Sequence, residues 1–198
     1  MRIKNRWFKE GREHTPQELA GAVAFTAWRI AENMLKKLRR ADFDIAVGPQ
    51  YFAFLAESLI FAAQVADRIA WQRMDEEGRM QFTSTLANRV AENLAENRQR
   101  LLGDDMAGCK AEFIDRLNQR AEDYAEFEFD PQAENFSFMR YFAHAVSEHL
   151  DEKDRHWVSD QIIAIEAPEA AATVDRAMRG LLDEEPRPRR TGSTLGAD

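Results

Sequence analysis

Residues 50–74 read QYFAFLAESLIFAAQVADRIAWQRM, and this stretch decides the fold class. Its Phe, Leu, Ile and Ala side chains fall on nearly every side of a helix, as they do in a helix that is buried on most sides. Gly48 and Pro49 interrupt the chain just before it. The pattern predicts a central helix around which the other elements pack.

Helical signals continue on both sides of this stretch. Thr15, Pro16 and Glu18 form a capping box with proline in the first turn, which predicts a helix from there to about Ala41. Apolar residues spaced by three and four predict further helices at about 75–103, 107–127, 136–150, 154–165 and 168–182. No segment shows convincing strand alternation. We therefore expect an all-α fold, an irregular bundle of six or seven helices in a single domain.

Length and composition agree with one folded domain. The chain has 198 residues, of which 44% are hydrophobic and 31% charged, so one core is expected and two are not. We expect a basic N-terminal arm at 1–14, a helical bundle domain at 15–182 and a disordered tail at 183–198, where there is almost nothing apolar to bury.

Charge is distributed unevenly along the chain. The net charge is -8, yet residues 1–40 carry 10 Lys or Arg against 4 Glu. The acidic remainder repels phosphate groups, so nucleic acid is not an expected partner. Five basic residues of the arm stand around the adjacent aromatic residues Trp7 and Phe8: Arg2, Lys4, Arg6, Lys9 and Arg12.

Such an arm suits an anionic membrane surface, a nucleic-acid strand or a protein partner. It equally suits the acidic body of its own chain or of a second copy, and we favour this interpretation because of the charge balance. An arm that packs on a second copy would make the protein a homodimer.

The cysteine content and the hydropathy indicate a cytoplasmic protein. Cys109 is the one cysteine, so no intramolecular disulfide can form, and a reducing compartment fits best. The most apolar stretch, residues 51–63, contains Glu57 and is too short to span a bilayer. No apolar run of signal-peptide length follows the basic start.

Sequence motifs disfavour the common enzyme classes. The chain has no glycine-rich phosphate loop, no Gly-x-Ser-x-Gly, no His-Glu-x-x-His and no dinucleotide fingerprint. It also lacks the Glu-x-x-His pairs of di-iron carboxylate bundles. No cofactor is indicated by any motif.

The histidines form the first candidate site. His144 and Glu148 stand at i and i+4 with Tyr141 one turn earlier, an arrangement that suits a metal site or acid–base chemistry if further carboxylates converge on it from inside the bundle. His149 and His156 share a face only if the helix continues past Asp151. The alternative interpretation is a solvated polar corner between two helices.

Glu57 is the second candidate, because its nearest neighbours along the helix are apolar. Burial would raise its pKa unless it is paired. Gln64 and Arg68 lie along the same stripe of the helix. Glu57 therefore indicates an exposed polar stripe, an ion pair that holds helices in register, or a catalytic carboxyl group.

The aromatic residues and Asn97 leave further alternatives open. Aromatic side chains concentrate at 51–61 and 124–142, and they predict either a filled core or a cavity for a small apolar ligand. Asn97 follows apolar spacing, so it either sets register in a helix seam or lies exposed at its edge.

The sequence thus favours a non-catalytic cytoplasmic accessory or interaction protein that works through its surfaces as a homo-oligomer. One alternative is a metal-dependent or acid–base enzyme that uses Glu57, His144 and Glu148, with Tyr141 as a proton donor or orienting group and His144 and Glu148 as metal ligands. Another is a carrier of a small apolar ligand.

Overall fold

The computed structural model of the chain describes residues 14–41, 43 and 45–183. Within these ranges there are helices and no strand, so the expected all-α bundle is confirmed. The helices are α1 (Pro16–Arg40), α2 (Pro49–Arg73), α3 (Glu76–Leu102), α4 (Met106–Ala125), α5 (Phe136–Ser147), α6 (Glu152–Gln161) and α7 (Ala167–Leu182).

Local sequence sets several of the helix ends. The backbone N–H of Glu18 donates to the hydroxyl of Thr15, and the backbone N–H of Thr15 donates to the carboxylate of Glu18, which completes the expected capping box of α1. Asp75 caps α3 by accepting from the N–H of Gly78. Helix α3 ends at Gly103, whose φ of 77° lies in the left-handed region that glycine tolerates best.

Helix α2 is the central helix, as the sequence predicted. It packs against α1, α3, α4, α5 and α7. Five consecutive turns of its surface contribute to the core, and Phe54, Leu55, Leu59, Ile60 and Phe61 have no exposed area at all. Because other helices surround α2 on most sides, its apolar residues are not confined to a single stripe.

The boundary expected between the sixth and seventh helices is absent. A π-helical turn, Ile162–Glu166, joins α6 to α7 without a break, and the N–H of Ala167 donates to the carbonyl of Ile162, five residues earlier. Pro168 has no N–H and cannot continue a regular α-helical ladder. The wider turn interrupts that ladder just before the proline, so the helix passes through a position where the sequence predicted a stop.

The aromatic residues of the two sequence groups pack together in the core. The rings of Phe61 and Phe142 stack with centroids 4.4 Å apart, and Phe138 lies 4.6 Å from Tyr124 and 5.7 Å from Phe61. Most of these rings are therefore part of the core, whereas Phe136 is exposed. Large rings from α2, α4 and α5 fix how these helices meet.

Two expectations concern parts of the chain that the structure does not describe. The arm residues Arg2, Lys4, Arg6, Trp7 and Phe8 lie outside the described residues, as does nearly all of the tail, 184–198. Among the helices that are described, none combines the length and the apolar character needed to cross a bilayer.

Candidate functional site

Glu57 lies inside the bundle and is ion-paired. Its side chain is 2% exposed, because α2 is enclosed on most sides. The guanidinium group of Arg120, on α4, donates to both carboxylate oxygens, with Nε 3.1 Å from Oε2 and Nη2 3.0 Å from Oε1. Two parallel hydrogen bonds of this kind give a strong and directional pair.

Arg120 connects Glu57 to α5. Its Nη2 donates to Oε2 of Glu148 at 2.9 Å, and its Nη1 lies 3.0 Å from the hydroxyl oxygen of Tyr141. The Tyr141 hydroxyl in turn donates to the carboxylate of Asp123 on α4. One arginine therefore joins α2, α4 and the C-terminal end of α5.

Two further side chains face Glu57. The imidazole Nε2 of His149, in the loop after α5, is 3.3 Å from Oε1 of Glu57, and Nη1 of Arg116 is 3.9 Å from the same oxygen. His149 takes this position because α5 ends at Ser147 and α6 begins at Glu152. The predicted helix break before Asp154 is thus present, and His149 does not share a continuous helical face with the residues after it.

The pKa values of the cluster follow from these contacts. Burial favours the neutral form of Glu57, but hydrogen bonds from His149 and Arg120 and the charge of Arg116 outweigh it, so the pKa of the carboxyl group lies below its ordinary value. Burial, together with the hydrogen bond to Asp123, raises the pKa of Tyr141 to about 12. At neutral pH Glu57 is therefore a carboxylate and Tyr141 a phenol.

The cluster satisfies the polar groups that it buries. Within the described ranges, no buried side-chain nitrogen or oxygen atom lacks a hydrogen-bond partner. Glu57 in this state accepts protons poorly and cannot donate one, because its negative charge is stabilised by Arg120 and Arg116 and by the hydrogen bond with His149. The arrangement fixes three helices by charge and geometry.

His144 does not join this cluster. Its side chain is 67% exposed, and its Nε2 is 3.7 Å from Oε1 of Glu148. The predicted metal site needs His144 to face inward beside further carboxylates. Glu148 is instead approached from inside the bundle by the guanidinium group of Arg120. No set of three or more His, Cys, Asp or Glu side chains in the described part of the chain is arranged to hold a metal ion.

Sequence reasoning found Glu57, Tyr141 and Glu148 but missed the residues that bind them. Arg116 and Arg120 stand one helical turn apart on α4, directly before the apolar positions Leu117 and Ala121. Two arginines bordering an apolar stripe at this spacing are the available signal, since they place two guanidinium groups at the edge of the buried face. Asp123 carried no comparable signal.

An apolar groove of about 330 Å³ lies beside the aromatic core, where α5, the π-helical turn and α7 meet. Its walls include Phe129, Met139, Ile163 and Pro168. Phe136, at its rim, is exposed. We call this feature the α5–α7 groove; it leaves the aromatic core itself packed.

Asn97 lies at the edge of the α3 seam. Its side chain is half-buried, donates to the carbonyl of Asn93 at 2.8 Å and accepts from Arg100 at 2.6 Å. These partners all belong to α3, so the amide is satisfied within its own helix.

No protein-family model, no curated protein and no solved structure matches this chain.

Proposed function

We propose that the chain is a non-catalytic accessory or interaction protein that works through its surfaces as a homo-oligomer. The observation that supports this is the state of the Glu57 cluster, whose charges are paired with one another. A general acid or base needs a pKa near the operating pH, and the cations around Glu57 move its pKa away from neutrality.

Exposed apolar side chains on α5, α6 and the π-helical turn support an interface. Phe136 on α5, Trp157 on α6 and Ile165 in the π-helical turn are all exposed, and these three elements pack against one another. These side chains and the α5–α7 groove, which Phe136 lines, are the region that we propose as the interface, because exposed apolar area marks interaction sites. A second copy of the chain is the occupant we favour for this region.

A cytoplasmic location belongs to the same proposal. The thiol of Cys109 is buried, and burial raises its pKa, so the reactive thiolate form is disfavoured. A single cysteine kept as a thiol fits a reducing compartment.

Native mass spectrometry of the full chain, with light scattering at several concentrations, tests this function. We expect an oligomer that carries no bound metal or organic molecule, and we expect Trp157→Asp to shift it towards the monomer. Gln99→Glu, on the exposed face of α3, is the matched control and should leave the subunit number unchanged. A wild-type protein that stays monomeric at all concentrations would overturn the homo-oligomer.

An acid–base enzyme is the second candidate, and the Glu57–His149 contact is the observation that favours it. A carboxylate 3.3 Å from an imidazole nitrogen can orient the ring for proton transfer. This moves the role first given to His144 onto His149. A small molecule retained in the native spectrum, and lost in both His149→Ala and Glu57→Gln but kept in Glu96→Gln, would favour this candidate.

A carrier of a small apolar ligand is the third candidate, because the α5–α7 groove has the size of a small-molecule site. An apolar molecule retained by the wild type and lost on Met139→Asp, but kept in Gln99→Glu, would favour it. The same spectra thus separate the three functions.

A further inference from the structure

Two large apolar side chains are exposed at the end of the bundle where α2 finishes and α3 begins. Trp71 is 68% exposed and Met80 is 61% exposed. The Trp71 ring is held in place by the guanidinium of Arg79, which lies 4.7 Å from the ring centroid and is itself bonded to Asp67. An indole fixed in this way presents its other face to solvent.

Two acidic residues lie one helical turn before Met80. Glu76 and Glu77, in the first turn of α3, are exposed and form no ion pair with any described residue. Their basic neighbours are already engaged, since Arg73 pairs with Asp183 and Arg79 pairs with Asp67. We call the surface formed by Trp71, Glu76, Glu77 and Met80 the α2–α3 patch.

Helix α1 begins beside this patch. The side-chain amide of Gln17, in the first turn of α1, donates to Gln81 of α3 at 2.9 Å. Gln81 also donates to Glu77 at 3.1 Å, so the start of α1 is joined to the patch through side chains. The described chain therefore begins within a few residues of the patch.

The composition of residues 1–13 is complementary to the patch. The segment has five Lys or Arg, two Glu, and the adjacent aromatic residues Trp7 and Phe8. Seven residues of extended chain cover up to about 24 Å, so a link from His14 allows Trp7 to reach Trp71 across one or two helix diameters. Aromatic pairs and cation–π contacts with an exposed tryptophan are favourable, as are contacts between basic side chains and unpaired carboxylates.

We propose that residues 1–13 dock on the α2–α3 patch of their own chain, with Trp7 and Phe8 against Trp71 and Met80. The basic side chains of the segment then lie over Glu76 and Glu77. The short covalent link favours the same chain over a second copy, because it gives the segment an effective concentration of the order of millimolar. This docking covers a surface that the Proposed function does not use, so either can fail without the other.

Site-specific photo-crosslinking in the full chain tests the docking. The photoreactive amino acid p-benzoylphenylalanine replaces Phe8, and the crosslinked peptides are identified by mass spectrometry. We expect crosslinks within monomers to residues 71–80, reduced several-fold by the double substitution Glu76→Lys and Glu77→Lys. Glu96→Lys is the matched control: it is exposed on the same helix about 30 Å further along, and it should leave the crosslinks unchanged.

Two outcomes would overturn the proposal. Crosslinks between isotope-labelled and unlabelled chains in a mixed sample would place the segment on a second copy. Crosslinks spread over the bundle, or insensitive to the charge reversal at Glu76 and Glu77, would show that the segment does not recognise this patch. Circular dichroism of each variant confirms that the bundle is intact.

Discussion

Two buried glutamates in different regions of the bundle are held in different ways. Glu57 is 2% exposed and Glu166 is 3% exposed. Glu57 receives two hydrogen bonds from one arginine on another helix, whereas Glu166, in the π-helical turn, lies 3.4 Å from Nζ of Lys37 and 3.2 Å from the amide of Gln161. Equal burial therefore does not mean equal pairing.

The difference lies in the cations. Arg120 is mostly buried and its planar guanidinium reaches Glu57, Glu148 and Tyr141 at once. Lys37 is partly exposed, carries a single ammonium group, and also pairs with Glu169. A solvated lysine can leave Glu166 at small cost, whereas Arg120 cannot leave Glu57 without breaking contacts among three helices.

The largest expected effect is that of Glu57→Gln. This change keeps the shape of the side chain but removes its charge. The buried guanidinium group of Arg120 then keeps only one of its two carboxylate partners, Glu148. We expect the free energy of unfolding to fall by about 3 kcal/mol or more. Urea denaturation followed by circular dichroism measures it. Glu96→Gln, exposed on α3, should change stability by less than about 0.5 kcal/mol.

A loss of under about 1 kcal/mol in Glu57→Gln would contradict this account. It would mean that the aromatic core, and not the Glu57 cluster, holds α2, α4 and α5 together.

Acid should remove the advantage of the wild type over Glu57→Gln. Because the pKa of Glu57 in the folded protein lies below its ordinary value of 4.5, the unfolded chain binds the proton more readily. The stabilisation is fully present above pH 4.5 and is lost as the pH falls through the folded pKa, by at most about 1.4 kcal/mol per pH unit. The difference in unfolding free energy between the two proteins, measured at several pH values, should shrink in this range. A difference that grows on acidification would show that the pKa is raised instead.

Glu166→Gln is expected to have the smallest effect. A glutamine can keep a hydrogen bond to Gln161, and Lys37 retains Glu169, so the loss should be about 1 kcal/mol or less. The same urea titration measures it. If this variant is as unstable as Glu57→Gln, the proposed difference between the two regions does not hold.

Much of the fold followed from local chemistry. The capping box at Thr15, the caps at Asp75 and Gly103 and the apolar character of α2 all act within a few residues of the chain, so sequence alone located these helices. Pro168 gave a misleading signal, because a proline is compatible with a continuing helix when a π-helical turn precedes it, and the sequence does not show that turn.

Only part of the candidate site could be predicted, because the sequence does not show which distant residues come into contact. Apolar neighbours singled out Glu57 along its own helix, and helical spacing related His144 to Glu148. The partners of Glu57 are 63 residues away for Arg120 and 92 for His149, and such separations leave no periodic signal in a single sequence.

The sequence by itself determined that this protein is helical and which helix is central, because helix propensity, capping and periodicity are local properties. The tertiary structure decided which cation meets Glu57, that His144 faces solvent while His149 faces the buried carboxylate, and that Trp71 and Met80 are not buried by any described residue. Those outcomes depend on how helices are rotated against one another, and that rotation is set by the packing of the whole core.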